Sequence, residues 1–183
     1  MRFLGIDPGS RKAGYGVIEV KGRKINYIDS GVLVYDKVNN FIDRLGLIYN
    51  SCVELSEKYE PHEVAFESLI YVKSIPSLAK LSQARGAMIA GFMGTHQGKV
   101  FEYSPNLIKN SVTGHGHTGK EGVEKSLKMI FGGGIEFKRH DESDALAIAV
   151  CHSMLRGMPV SNKGHAGARK GSTLKQAFKH LEK

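Results

Sequence analysis

The run Arg2-Phe3-Leu4-Gly5-Ile6-Asp7-Pro8-Gly9-Ser10 places a buried strand directly against an enforced turn. Phe3, Leu4 and Ile6 supply the apolar content of the strand. Pro8 fixes its own backbone angle and Gly9 accepts conformations closed to other residues, so the chain must reverse. Extended sequence resumes from Ala13 to Glu19, and the two runs make a hairpin. Such an opening commits the chain to a sheet. Asp7 stands where the first strand meets the turn. A carboxylate there ends a rigid element yet reaches solvent, which suits a metal ligand. It equally suits a turn aspartate bonded to its own backbone, and Asp7 alone does not separate the two.

The order of the remaining elements sets the fold class. Residues 24–34 read as a third strand. Phe41, Leu45, Ile48, Cys52, Leu55 and Tyr59 recur at helical spacing, and Pro61 ends that helix. Glu63-Val64-Ala65-Phe66 is a short buried strand with Glu67 at its end, a position analogous to that of Asp7. A second helix runs from about Ile75 to Gly94. Its residues Ala84, Ala87, Gly91 and Gly94 form a seam of small side chains, which predicts packing under the sheet, with a dimer interface as the alternative. Val100 to Tyr103 is a fifth strand. Short helices follow over 105–112 and 121–131, separated by a Gly- and His-rich loop, and Asp141 opens a last apolar helix. Three antiparallel strands followed by alternating helices and strands predict an α/β fold: a five-stranded mixed sheet flanked by helices.

At 183 residues the chain suits one core, expected over 1–158. The segment 159–183 holds six Lys/Arg and one Glu and reads as a basic, mobile C-terminal tail, in which Leu174, Phe178 and Leu181 can make an amphipathic turn or two. The net charge of +8 favours a polyanionic partner such as nucleic acid. Cys52 and Cys151 lie at no metal-binding or redox spacing and read as reduced core thiols. No signal pattern and no membrane-length apolar run are seen, so a cytoplasmic protein without a membrane partner is expected.

Asp141 and Asp144 are three residues apart at a helix start, hence on one face. Asp141 can cap the first turn, and Asp144 gains from the helix dipole; neither role conflicts with holding a metal. Taken with Asp7 and Glu67 they make four acids, two ending strands and two opening a helix. Brought to one spot, four carboxylates repel unless divalent cations neutralise them. Oxygen-only ligands suit Mg²⁺ or Mn²⁺. Two such ions form a known device for phosphodiester hydrolysis.

Gly5-Ile6-Asp7-Pro8-Gly9-Ser10 with Gly14-Tyr15-Gly16, Glu67 ahead of the helix containing Gln83-Ala84-Arg85-Gly86, and Asp141-Glu142-Ser143-Asp144-Ala145-Leu146-Ala147-Ile148-Ala149 together resemble the RuvC family of Holliday-junction resolvases. The ordered motifs span residue 1 to about 155. The resemblance implies an RNase H-like fold, a homodimer, and Mg²⁺-dependent paired nicking of four-way DNA junctions that leaves 3′-hydroxyl and 5′-phosphate ends. It implies that Asp7, Glu67, Asp141 and Asp144 are the catalytic, metal-binding acids, with two ions per site and Mn²⁺ able to substitute. It also implies that Lys109 and Lys120 hold the phosphate; as single residues both also read as solvated surface charges. Where the family often has a base-stacking phenylalanine, Ile70 stands, and Tyr71 offers its ring from the next position. Lys73 and Arg85 are further candidates for DNA contact. A branch-migration helicase complex is a possible partner.

Three histidines near these motifs stay open. His140 can enter the metal site or position water. His115 and His117 form a His-x-His pair in a glycine-rich loop, where backbone phosphate contact or no special role is the plainer reading. His62, His96, His152, His165 and His180 show no constellation. Other functions remain to be weighed: a nuclease of the same fold acting on other branched DNA or on RNA–DNA hybrid, a nonenzymatic DNA-binding relative, and an actin-like nucleotide-binding protein with a similar opening hairpin.

Overall fold

The computed structural model describes residues 1–69 and 74–156. Strands β1 (Arg2–Asp7), β2 (Lys12–Lys21) and β3 (Lys24–Val34) run antiparallel in succession, and β4 (Glu63–Glu67) and β5 (Val100–Tyr103) add parallel to β1, giving the order β3-β2-β1-β4-β5. Gly22, at φ +60°, allows the tight β2–β3 connection. Helices α1 (Phe41–Tyr59) and α2 (Ile75–His96) cover one face of the sheet. Helices α3 (Pro105–Thr113), α4 (Lys120–Phe131) and α5 (His140–Leu155) cover the other.

Side-chain alternation in β1 divides the core. Leu4 and Ile6 pack with Ile48, Cys52, Val64, Phe66, Met88 and Phe92 on the α1/α2 face. Phe3 packs with Ile18, Ala65, Leu127, Leu146 and Ile148 on the α5 face. Because strand residues two apart share a face, Asp7 falls on the α5 side with Phe3 and Gly5. The same parity puts Glu63 and Glu67 of β4 on that side with Ala65.

The helix ends follow their local chemistry. Asn40 caps α1 by accepting from the backbone N–H groups of Ile42 and Asp43, and Glu60 closes it in the left-handed region at φ 44° before Pro61. Gly132 and Gly133, both at positive φ, terminate α4. Two expectations need correction. The small-residue seam of α2 does not act as one surface under the sheet: Ala84 is buried in the core there, but a Cβ on Gly91 would lie 2.7 Å from the Tyr49 carbonyl oxygen of α1, and one on Gly94 would meet nothing within 4 Å. Nor does Asp141 cap α5, because the helix begins one residue earlier, at His140, with Arg139 as an N-cap that makes no side-chain bond. Both cysteines are fully buried, as expected of core thiols.

Candidate active site

The four acids lie at one end of the sheet, on one face. Asp7 and Glu67 are the last residues of the neighbouring parallel strands β1 and β4. Asp141 and Asp144 lie in the first turns of α5, which crosses that face.

Three glycines bring the helix there. A Cβ on Gly5 would sit 2.2 Å from the Ala145 carbonyl oxygen, one on Gly14 2.0 Å from that of Asp141, and one on Gly16 2.7 Å from the Leu146 nitrogen. No side chain fits at any of these places. Gly5, Gly14 and Gly16 therefore form a bare trough across β1 and β2, in which α5 rests almost backbone on backbone. Gly14 is also the ladder partner of Asp7, so the contact that seats Asp141 lies beside Asp7. The Gly14-Tyr15-Gly16 run was legible as a motif, but its purpose depends on a helix far along the chain.

The electrostatics show the crowding. Burial is the largest cause raising the Asp7 carboxyl, followed by the charges of Glu67, Asp144 and Asp141, and together they push its pKa up to about 7. That shift represents roughly 4 kcal/mol against the charged form. Glu67 is likewise raised, first by burial and then by Asp144, with Lys109 and Lys120 acting in the opposite sense. Among the described residues, no three His, Cys, Asp or Glu side chains stand together as a ready-made cage for an ion. The acids share a field but not a closed coordination sphere. Their chemistry fits a hard divalent cation: all donors are carboxylate oxygens, and a cation relieves the repulsion that now favours a proton on Asp7.

Two lysines stand at the mouth. Lys120 Nζ donates to Asp144 Oδ2 at 3.4 Å. Lys109 and Lys120 join Glu67 and Asp144 around a cavity of about 250 Å³ whose floor is apolar, with Ile108, Val123 and Ile148. The first turn of α5 is braced from α4, where Glu124 Oε1 accepts from His140 at 2.8 Å and from the Ser143 hydroxyl at 3.4 Å. His140 is thus directed toward Glu124. His115 and His117 lie in a turn closed by the bond between the Thr113 and Thr118 hydroxyls at 3.0 Å.

Arg85 corrects another expectation. It lies on α2, on the face away from α5. Its guanidinium is 5.6 Å above the Phe66 ring and pairs with Glu102, leaving the side chain 12% exposed. Its charge is engaged by Glu102, itself half-exposed, rather than standing free on the surface. Ile70, Tyr71 and Lys73 lie outside the described residues, as does the tail from 157 onward.

Comparison with known proteins settles the family. The model of crossover junction endodeoxyribonuclease RuvC matches residues 3–152. The chain belongs to the RuvC family. RuvC of Trichlorobacter lovleyi is 42% identical over 83% of this chain and 84% of its own. RuvC of Geotalea uraniireducens is also 42% identical, over 86% of this chain and 93% of its own. Among solved structures, Thermus thermophilus RuvC in complex with Holliday junction substrate aligns at a TM-score of 0.76 and 30% identity, over 84% of this chain and 93% of that one. The sheet order and flanking helices are thus those of the RNase H-like RuvC fold.

Proposed function

We propose that this RuvC-family protein resolves four-way DNA junctions by paired, symmetric nicks, through Mg²⁺-dependent phosphodiester hydrolysis. The observation that carries this reading is the gathering of Asp7, Glu67, Asp141 and Asp144 at one sheet end, where burial first and the three neighbouring carboxylates second push Asp7 up to about 7. The four carboxylates would hold two divalent ions, which supply an activated water and stabilise charge on the phosphate. Mn²⁺, with the same oxygen preference, would substitute.

The chain's own groups do the rest. Lys109 and Lys120 flank the mouth and bind the phosphate oxygens as charge develops on them. Lys120, already bonded to Asp144, is positioned to bridge acid and phosphate. The excess basic charge gathers the DNA backbone, so junction binding weakens steeply with salt. Tyr71 is proposed to stack on junction bases, with Ile70 and Lys73 beside it. Symmetric cutting needs two sites related by a two-fold axis, hence a homodimer. We place the protein in the cytoplasm, with a branch-migration helicase complex as a partner that delivers junctions.

The test incubates the protein with Mg²⁺ and a four-way junction, a Y-fork, an RNA–DNA hybrid and a plain duplex, mapping cuts on every strand. Paired cuts confined to the junction are expected. Equal cutting of all four substrates would shift the reading to a general branched-DNA or hybrid nuclease. Asp7→Asn should abolish cleavage while leaving junction affinity largely intact.

A further inference from the structure

At the far end of α5 from the acids lies a second polar cluster. His152 is fully buried, and both ring nitrogens are engaged. Its Nε2 lies 2.9 Å from Glu63 Oε2, and its Nδ1 lies 2.8 Å from the Tyr103 hydroxyl. A carboxylate only accepts, so Nε2 carries the proton; Nδ1 then accepts from the tyrosine. Arg156 completes the set by donating to both Glu63 oxygens, at 2.7 and 3.0 Å. Phe3 meets the imidazole edge-on at 5.0 Å and Phe101 lies 4.7 Å away, so the ring is held from β1, β4 and β5 at once.

The placement matters because the trough that seats α5 offers little relief of its own. Side-chain ridges normally fix how far a helix slides over its neighbour. Here Gly5, Gly14 and Gly16 lie against Ala145, Ala149, the Leu146 side chain and helix backbone, and Leu146 and Ile148 pack into the apolar core on that face. That packing holds the helix close but is non-directional. The hydrogen bonds of the polar cluster are directional and fix its axial position. Glu63 and Glu67 sit on the same face of β4, about 13 Å apart at the usual strand rise. Asp144 and His152 lie about 12 Å apart along α5. With His152 fixed on Glu63, a matching length of helix returns Asp144 to Glu67.

We infer that the buried Tyr103–His152–Glu63–Arg156 cluster sets the axial register of α5, so that His152 and Glu63 are positioning residues for cleavage though they touch neither substrate nor ions. This rests on the nuclease reading above. The geometry needs a donor toward β4 and an acceptor toward β5, which Gln can supply at position 152 and Leu cannot. Removing only one partner would strand a buried polar group. The decisive variant is therefore apolar throughout: Glu63→Leu, Tyr103→Phe and His152→Leu together.

The experiment measures single-turnover cleavage of a four-way junction with saturating protein in Mg²⁺, junction affinity in Ca²⁺, and the thermal midpoint of each variant. The triple variant is expected to bind the junction within about two-fold of the parent yet cleave at least ten-fold more slowly, at a thermal midpoint near that of the parent. His152→Gln alone is expected to restore most of the rate. Full-rate cleavage by the folded triple variant would overturn the inference, as would a His152→Gln variant no faster than His152→Leu. A parent protein that fails to cut the junction would instead overturn the nuclease reading on which it rests.

Discussion

At the scale of single residues, the site is as much a matter of missing side chains as of charged ones. Asp7 can meet Asp141 only because its ladder partner, Gly14, has no Cβ. An added methyl would fall 2.0 Å from a backbone oxygen, and backbone cannot swing aside as a flexible side chain does. Overpacking of this kind costs about 1–3 kcal/mol. The greater penalty should fall on catalysis, since a shift near 1 Å in a reacting group can cost on the order of 100-fold. Gly14→Ala is therefore expected to fold with a lowered thermal midpoint and to lose cleavage by about that factor, while junction affinity changes little. Unchanged cleavage by Gly14→Ala would show that α5 can retreat from the sheet without harm. Gly22→Ala is a useful contrast: a Cβ there meets nothing, and its strain comes only from φ +60°, at the end of the molecule away from the acids.

At the scale of elements, α5 carries acids at its start and a polar anchor at its end, and the two ends were unequally legible in the sequence. The strand-end positions of Asp7 and Glu67 were legible, because strand and turn signals are local; the face they share was not, since it depends on β1 pairing with β4 across some sixty residues. The spacing of Asp141 and Asp144 fixed a common helix face, being local as well. The anchor was not legible: His152 finds Glu63 at a separation of 89 residues and Tyr103 at 49, and no short-range pattern marks such a meeting. Arg85 was misread in the opposite direction, since a helical arginine beside no acid in sequence looks exposed until Phe66 and Glu102 are folded against it.

The anchor also has a pH signature. Burial lowers the His152 pKa, partly offset by Glu63. Burial works to raise Glu63, but its bonds to Arg156 and His152 prevail and hold it low. Both groups therefore bind fewer protons folded than unfolded. Their stabilisation is present above their ordinary pKa values and is lost as pH falls through the folded ones. The groups facing them are Arg156 and Tyr103, neither of which titrates in acid. Relative to the triple apolar variant, the parent should lose stability as pH drops from 7 toward 4, most clearly below the ordinary His pKa of 6.5. Denaturant midpoints of the two proteins across that range give the difference directly; a difference that stays constant with pH would place the proton linkage elsewhere.

At the scale of the whole molecule, charge and symmetry must be reconciled. The chain is basic overall, yet its most crowded field is acidic, so under the proposed mechanism the two signs would divide the labour: the surface would collect the backbone, and the carboxylates would face one phosphate through the cations they hold. One chain has one such field and, on that reading, would cut one strand. Resolution needs a second, and the proposed two-fold dimer makes the two cuts separable by mixing. Parent and Asp7→Asn chains, unfolded and refolded together in equal amounts, should yield about half mixed dimers if assembly is random. Each mixed dimer retains one working site. On a supercoiled plasmid bearing an extruded cruciform, the parent should produce linear DNA, because both nicks fall within one bound complex. The mixed population should add nicked open circles in proportion to its share of mixed dimers, with total cleavage events scaling with the number of intact sites. Loss of linear product without any rise in nicked circles would mean that one inactive subunit silences its partner, and independent action of the two sites would fail. Linear product that falls only in proportion to parent protein, again without open circles, would mean the chains do not mix, and the homodimer would have to give way to cutting by a different assembly.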